Sequence, residues 1–196
     1  MNGHAPLAQA ISSMVVSRGR AACVSQVVDG QRILDLDVGT GSPFVPIVRA
    51  NPRGYSEGIT ELRRPAGHVE ARLSRLPGRS LVRTAQPWNT GAPSSSFDTV
   101  LACHLLDRVP ESAVAAVLGE ARRVLVPGGT LVVTHLAPTG GALDWLREGL
   151  HSIDPALTGE RCAVPASVYV EAMGFSDLRI LSLGRSTQLL TAKRSR

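Results

Sequence analysis

The sequence predicts an α/β domain, a mostly parallel sheet with helices on both faces, closed by an antiparallel hairpin. Three observations predict it. Strand-like apolar runs alternate with segments of helical period along most of the 196 residues. The first run, Arg32 to Val38, breaks into a glycine turn and then a helix start. The last two runs are separated by too few residues for a parallel crossover.

Residues 1–30 place Leu7, Ile11, Met14 and Val15 at helical spacing, with Gly19 as the expected break. They read as an N-terminal helical covering segment ahead of an α/β domain over 31–196. In the first strand Ile33, Leu34, Leu36 and Val38 are dense enough for burial on both faces. The chain then turns at Gly39-Thr40-Gly41, and Pro43 suits the first turn of a helix reaching Ala50, with Pro46 early enough to be tolerated. Residues 54–60 occupy the place of a second strand, although Ser56, Glu57 and Gly58 make it a poor one by propensity. A helix near 66–76 presents Val69, Leu73 and Leu76 on one face, a third strand covers 80–84, and a loop containing Trp88 runs from Pro87 to Ser96.

Phe97 to Cys103 reads as the fourth strand. Pro110 and Glu111 open a helix whose Val114, Val117, Leu118 and Ala121 recur at i, i+3, i+4 and i+7, the stripe of a helix packed on a sheet. Pro127-Gly128-Gly129 is expected to turn the chain into a fifth strand, Thr130 to His135. Leu143, Leu146, Leu150 and Ile153 mark another helix, and Pro165 to Met173 a shorter one ended by Gly174. The closing hairpin pairs 178–183 with 187–191.

With 43% hydrophobic and 19% charged residues, and no apolar run near the roughly 20 residues that span a bilayer, the chain reads as soluble and globular. Its first residues lack the basic region of a secretory leader, so a cytoplasmic location is expected. Cys23, Cys103 and Cys162 are odd in number and far apart, which predicts free thiols in a reducing compartment and offers no metal-site spacing. The net charge of +5 rests on twenty arginines and one lysine. Eight of those arginines fall between Arg49 and Arg83, a density that reads as solvated surface rather than a nucleic-acid patch. Lysine scarcity excludes a phosphate loop ending in Gly-Lys-Ser/Thr and leaves Lys193 alone for Schiff-base chemistry.

Ligands of such sheets bind beyond the carboxyl ends of the strands, where strand order reverses. That rule gathers Asp35 to Gly41, Thr60-Glu61, Thr84-Ala85 and Cys103-His104 around one crevice. A nicotinamide site would want a third glycine where Phe44 stands.

Three blocks carry a family resemblance: Ile33-Leu-Asp-Leu-Asp-Val-Gly-Thr-Gly41, Ser96-Phe-Asp-Thr-Val-Leu-Ala-Cys-His104, and Ala121-Arg-Arg-Val-Leu-Val-Pro-Gly-Gly-Thr-Leu131 continuing through Val133. In this order and spacing they resemble the class I S-adenosylmethionine-dependent methyltransferases of the small-molecule type, over roughly residues 30–193. The resemblance implies a Rossmann-like, seven-stranded sheet, S-adenosylmethionine as cofactor and a small-molecule acceptor. It disfavours amino-group methylation of nucleic acids, since Cys103-His104-Leu105-Leu106 replaces the Asn/Asp-Pro-Pro-aromatic segment of those enzymes.

Position by position, the resemblance assigns cofactor contacts to Asp35, Asp37, Gly39, Thr40, Gly41, Thr60, Glu61, Thr84, Ala85 and Cys103. Asp35 matches the family's acid before the turn and would help hold the cofactor's ammonium. Asp37 stands at the first of three alternating glycines, where its charge would oppose the cofactor's carboxylate unless it turns away or pairs with an arginine. Thr60, with Glu61 next to it, stands where the family has a ribose-binding acid, and Thr84-Ala85 stands for the acid-plus-small pair that faces the adenine amine. His104 is the candidate general base, because imidazole exchanges a proton near neutral pH, with Asp107 and His135 after it. The same departures at Asp37, Thr60 and Thr84 keep a second reading open, a methyltransferase-like protein that has lost catalysis and acts as a binding or partner subunit. Neither the acceptor nor the oligomeric state can be read from the residues.

Overall fold

In the computed structural model, residues 17–39, 44–61, 71–136, 165–184 and 187–196 are described. They form one seven-stranded sheet: β1 (Arg32–Asp35), β2 (Tyr55–Thr60), β3 (Arg79–Thr84), β4 (Phe97–Cys103), β5 (Leu125–Leu136), β6 (Phe175–Ser182) and β7 (Thr187–Arg194). Their spatial order is β3-β2-β1-β4-β5-β7-β6, so the order reverses between β1 and β4. β7 pairs antiparallel with both β5 and β6, while β1 to β5 pair in parallel. The expected Rossmann-like sheet with its closing hairpin is therefore present.

Helices cover both faces because successive residues of a strand point to opposite sides. Ile33, Leu101 and Val132 pack with Phe44, Val45, Ile47 and Val48 of α2 (Phe44–Ala50) and with Cys23 of α1 (residues 17–25). Their strand neighbours Leu34, Val100 and Leu131 face the other way, onto Val114, Val117 and Leu118 of α3 (Glu111–Val124) and Val170 of α4 (Ala166–Ala172). Each such side chain taken fully out of water contributes roughly 1.5–3 kcal/mol, and the central strands contribute to both layers at once.

Several elements depart from the sequence expectation. β2 forms despite its composition because it is an inner strand, paired with β1 and β3 along its length. Asn51 secures its start, donating from Nδ2 to Gln31 O at 2.9 Å and to Ser56 Oγ at 3.0 Å while its Oδ1 accepts the Gly30 N–H at 2.8 Å. Gly58 is the residue the packing demands, since a Cβ there would come within 2.5 Å of Val38 Cγ1 and 3.3 Å of the Phe44 ring. Pro127-Gly128-Gly129 does not precede the fifth strand but interrupts it. β5 starts at Leu125 beside Phe97 and resumes pairing at Thr130 beside Thr99, so the extra residues are absorbed as an irregularity within the strand. Gly19, expected as a break, lies inside α1. The helix expected at 66–76 is described only from Ala71 onward, as a helical turn at 71–73. The helix expected around Leu143 to Ile153 lies outside the described residues, as does the segment before Ser17.

Candidate functional site

The carboxyl ends of β1 and β4 flank the reversal point, with those of β2 and β3 beside β1 along the same edge. Asp35 closes β1 opposite Gly58 of β2 on one side and Leu101 of β4 on the other. Beyond it the chain stays tied to the sheet, with Leu36 N–H donating to Leu101 O and Val38 N–H to Ile59 O, both at 2.9 Å. Thr60 lies opposite Thr84, and the Ala85 N–H reaches Thr60 O at 3.1 Å. Cys103 ends β4, and the His104 N–H donates to Thr134 O at 2.9 Å. The positions expected around one crevice are thus neighbours along one edge, with Glu61 exposed just past Thr60. Thr40 and Gly41 lie outside the described residues.

The turn after β1 is held by its own acids. Asp35 Oδ1 accepts the Asp37 N–H at 3.2 Å, and Asp37 Oδ1 accepts the Gly39 N–H at 2.9 Å. Gly39 has φ of 52°, a left-handed conformation that glycine adopts without a Cβ clash. The carboxylate of Asp37 pairs with the Arg108 guanidinium, which neutralises the charge that the sequence placed at the first glycine position. Thr60 Oγ1 donates to Gly39 O at 2.9 Å, so this hydroxyl braces the turn.

Asp35 is buried, and burial pushes its carboxyl up to about 7 against the opposing pull of Arg20 and Arg108. Both guanidiniums are in turn lowered by their own burial. The edge therefore holds a buried carboxyl whose charged form is disfavoured by burial and favoured by two arginines, without a direct ion pair to either among the described contacts.

α1 lies over the end of β4. Cys23 and Cys103 form a disulfide with Cα atoms 6.6 Å apart, within the usual range for such a bond. This corrects the expectation of free thiols, which rested on sequence spacing alone. α1 packs against the sheet edge and closes an 80-residue separation, so the thiol argument for a reducing compartment falls away. Any contact of Cys103 with the cofactor would therefore not be made by a free thiol, since its sulfur is bonded to Cys23. Cys162 lies outside the described residues. One turn before Cys23, Gly19 is buried where a Cβ would strike the His104 ring, so the glycine is required by close approach rather than by a helix end.

His104 itself has φ of 54°, a sparsely populated region for a residue with a side chain. Its Nδ1 lies 2.8 Å from Asp107 Oδ2. A carboxylate only accepts, so this bond requires a proton on Nδ1. Nε2 is buried and has no hydrogen-bond partner. Asp107 is fixed by the Leu136 N–H, 3.0 and 3.1 Å from its two oxygens. His135, on β5, is also buried, and burial pushes its imidazole down.

Arg20, Arg108 and the pairing of Cys23 with Cys103 were not foreseen. A partner for Asp37 was anticipated only as some arginine, and nothing in the local pattern distinguishes Arg108 from nineteen others. Among the described residues no cluster of His, Cys, Asp and Glu could hold a metal ion, and no helix is long and apolar enough to cross a membrane.

Known proteins resemble the chain in both sequence and fold. Residues 34–133 match the family described as "Methyltransferase domain". A curated relative, phthiotriol/phenolphthiotriol dimycocerosates methyltransferase 1 of Mycobacterium ulcerans, is 31% identical over 119 residues, covering 60% of this chain and 42% of that protein. The match thus spans under half the relative's length. Among solved structures, a SAM-dependent methyltransferase of Methanosarcina mazei superposes with a TM-score of 0.69 at 16% identity, covering 87% of this chain and 95% of that one. The [4+2]-cyclase SpnF gives 0.68 at 20% identity, with coverage of 91% and 80%. At those identities the likeness is one of fold.

Proposed function

Because this chain belongs to the methyltransferase domain family, the class I S-adenosylmethionine-dependent methyltransferases, we propose that it transfers a methyl group from S-adenosylmethionine to a small-molecule acceptor. The observation that carries this reading is Asp35. A buried carboxylate whose burial opposes its charge is stabilised by a cation placed beside it, and the cofactor's methionine end presents an ammonium.

The residues of the edge fit the group. Asp35 would hold the ammonium and Arg20 the methionine carboxylate. Arg108 keeps Asp37 from repelling that carboxylate by occupying its charge. Thr60 braces the Gly39 turn beside which the cofactor would lie, and Glu61, Thr84 and Ala85 stand at the strand ends on the nucleoside side. When bound, S-adenosylmethionine supplies an electrophilic methyl on a sulfonium. The protein's part is to orient the acceptor, exclude water and take up its proton, and His104 is the side chain proposed for the last of these.

A second reading rests on specific observations. Asp37 fills the first glycine position, Thr60 Oγ1 is engaged with Gly39 O, and Cys23 binds α1 to the end of β4. Together they would suit a methyltransferase-like fold retained for binding, and the likeness to a cyclase illustrates that the architecture is not tied to methyl transfer. Titration calorimetry with S-adenosylmethionine and S-adenosylhomocysteine separates the two. Saturation at micromolar ligand supports the enzyme, and no saturation by millimolar ligand supports the binding protein.

A further inference from the structure

Few residues of α1 hold it to the sheet edge, and one of them does so covalently. Within 17–25 only Gly19 and Cys23 are buried, and Gly19 has no side chain with which to pack. Ala22 and Val24 are partly buried against the core. Cys23 packs with Ile33, Leu101 and Val132 and is bonded to Cys103 at the end of β4.

The first turn of α1 sits on this edge against opposing forces. The Gly19 backbone lies so close to the His104 ring that a Cβ would strike it. The covered Nε2 is left with no hydrogen-bond partner, a cost that access to water would relieve. Arg20 is drawn by the charge of Asp35, but its burial opposes that pull and lowers its guanidinium. Burial, and after it the charge of Arg20, push the Arg108 guanidinium down as well. The arginine that α1 brings to the edge therefore repels the one already there.

We propose that α1 is a thiol-controlled cover: the Cys23–Cys103 disulfide holds its first turn over His104, and reduction of that bond releases it. The inference stands apart from the methyltransferase reading; where that reading holds, the reduced form is the one whose His104 side is open. The step balances with a dithiol as reductant. One thiolate of the dithiol attacks the sulfur of Cys103, which is 8% exposed against 0% for Cys23. The bond between the two cysteines breaks, and its electron pair leaves on the Cys23 sulfur. The second thiolate of the dithiol then displaces Cys103 from the mixed disulfide. Two electrons have passed to the protein, both cysteines carry protons given up by the dithiol, and the dithiol ends as a cyclic disulfide. Without its covalent tie α1 keeps only the packing of Cys23 and its half-buried neighbours, the first turn lifts, and water reaches Nε2.

Diethyl pyrocarbonate, which modifies the unprotonated nitrogen of an accessible imidazole, reads this cover on the full chain, with rates at each histidine taken from peptide mass spectrometry. Three wild-type samples are compared: air-oxidised, reduced with dithiothreitol and freed of it, and reduced then reoxidised. His104 is expected to react roughly tenfold faster once the bond is reduced, as local opening removes its protection, and to become slow again on reoxidation. C23S should react fast with or without dithiothreitol. His135 is the internal control. It follows Thr134, whose Oγ1 lies 3.7 Å from Cys23 Sγ, so it points to the other side of the sheet and should stay slow in every sample. Equal His104 rates in the oxidised and reduced chain overturn the proposal, as does an air-oxidised chain that lacks the cross-link. A parallel rise at His135 also overturns it, because reduction would then be unfolding the sheet rather than lifting α1. The wild-type series needs no variant, so the test holds even where C23S does not fold. No sample contains cofactor, so failure here leaves the S-adenosylhomocysteine titration, and with it the methyltransferase reading, untouched.

Discussion

The carboxylate of Asp37 is paired with the guanidinium of Arg108, so the acid at the first glycine position is neutralised by a residue from the loop after β4. The pair joins two of the strand ends that form the site. In the proposed binding mode, removing Arg108 would leave Asp37 a charge facing the methionine carboxylate. We expect R108A to weaken S-adenosylhomocysteine about tenfold, equivalent to roughly 1.4 kcal/mol. The double variant D37N/R108A should recover most of the loss, because the repelling charge is gone. Calorimetry on the three proteins checks this, and equal weakening in the single and double variants would contradict it.

Asp35 should make the ligand-free protein less stable as pH rises. Its folded carboxyl lies at about 7, against an ordinary value of 3.8. Between these values the native state binds more protons than the unfolded state, so stability falls as pH rises through that window and levels off above it. The penalty is on the order of a few kcal/mol. D35N removes it. Melting temperatures from pH 4 to 8 should decline for wild type and decline less for D35N, with D35N the more stable at pH 8 and deficient in cofactor binding.

The Cys23–Cys103 bond closes a separation of 80 residues. On the chain-entropy view a loop of that size adds about 4.5 kcal/mol at most. Reduction, or the C23S variant, should lower the melting temperature by several degrees. Peptide mapping without reductant should recover residues 23 and 103 in one cross-linked fragment. Recovery of both as separate free thiols would contradict the pairing.

Gly58 is the tightest point between β2 and the turn after β1. A methyl group there would press on Val38 and on Phe44 at the head of α2, and overpacking of this kind costs typically 1–3 kcal/mol. G58A should lower stability by that amount, as read by urea denaturation, and should weaken S-adenosylhomocysteine as well, since Val38 precedes Gly39 directly.

Much of the fold was legible where one signal dominated. The stripe of Val114, Val117, Leu118 and Ala121 reports α3, and all four are buried as their spacing requires. Gly174, at φ 77°, closes α4 as expected. β2 was harder to read because local propensity opposed it and pairing on both sides overruled that preference. Pro127-Gly128-Gly129 reads as a turn locally, yet the register of β4 against β5 accommodates it within a strand. The site was legible as a set of strand ends but not as a set of contacts. The partnerships of Asp37 with Arg108, of Cys23 with Cys103 and of Gly19 with His104 join residues far apart in the chain. Each depends on how α1 and the loop after β4 lie across the sheet edge, which no local pattern encodes.

The most direct test of the whole account is a crystal structure of the chain with S-adenosylhomocysteine. The account predicts the methionine ammonium at Asp35, its carboxylate toward Arg20, and the nucleoside across the ends of β2 and β3. A structure from saturating ligand in which that edge stays filled by α1 and holds no nucleoside would contradict it.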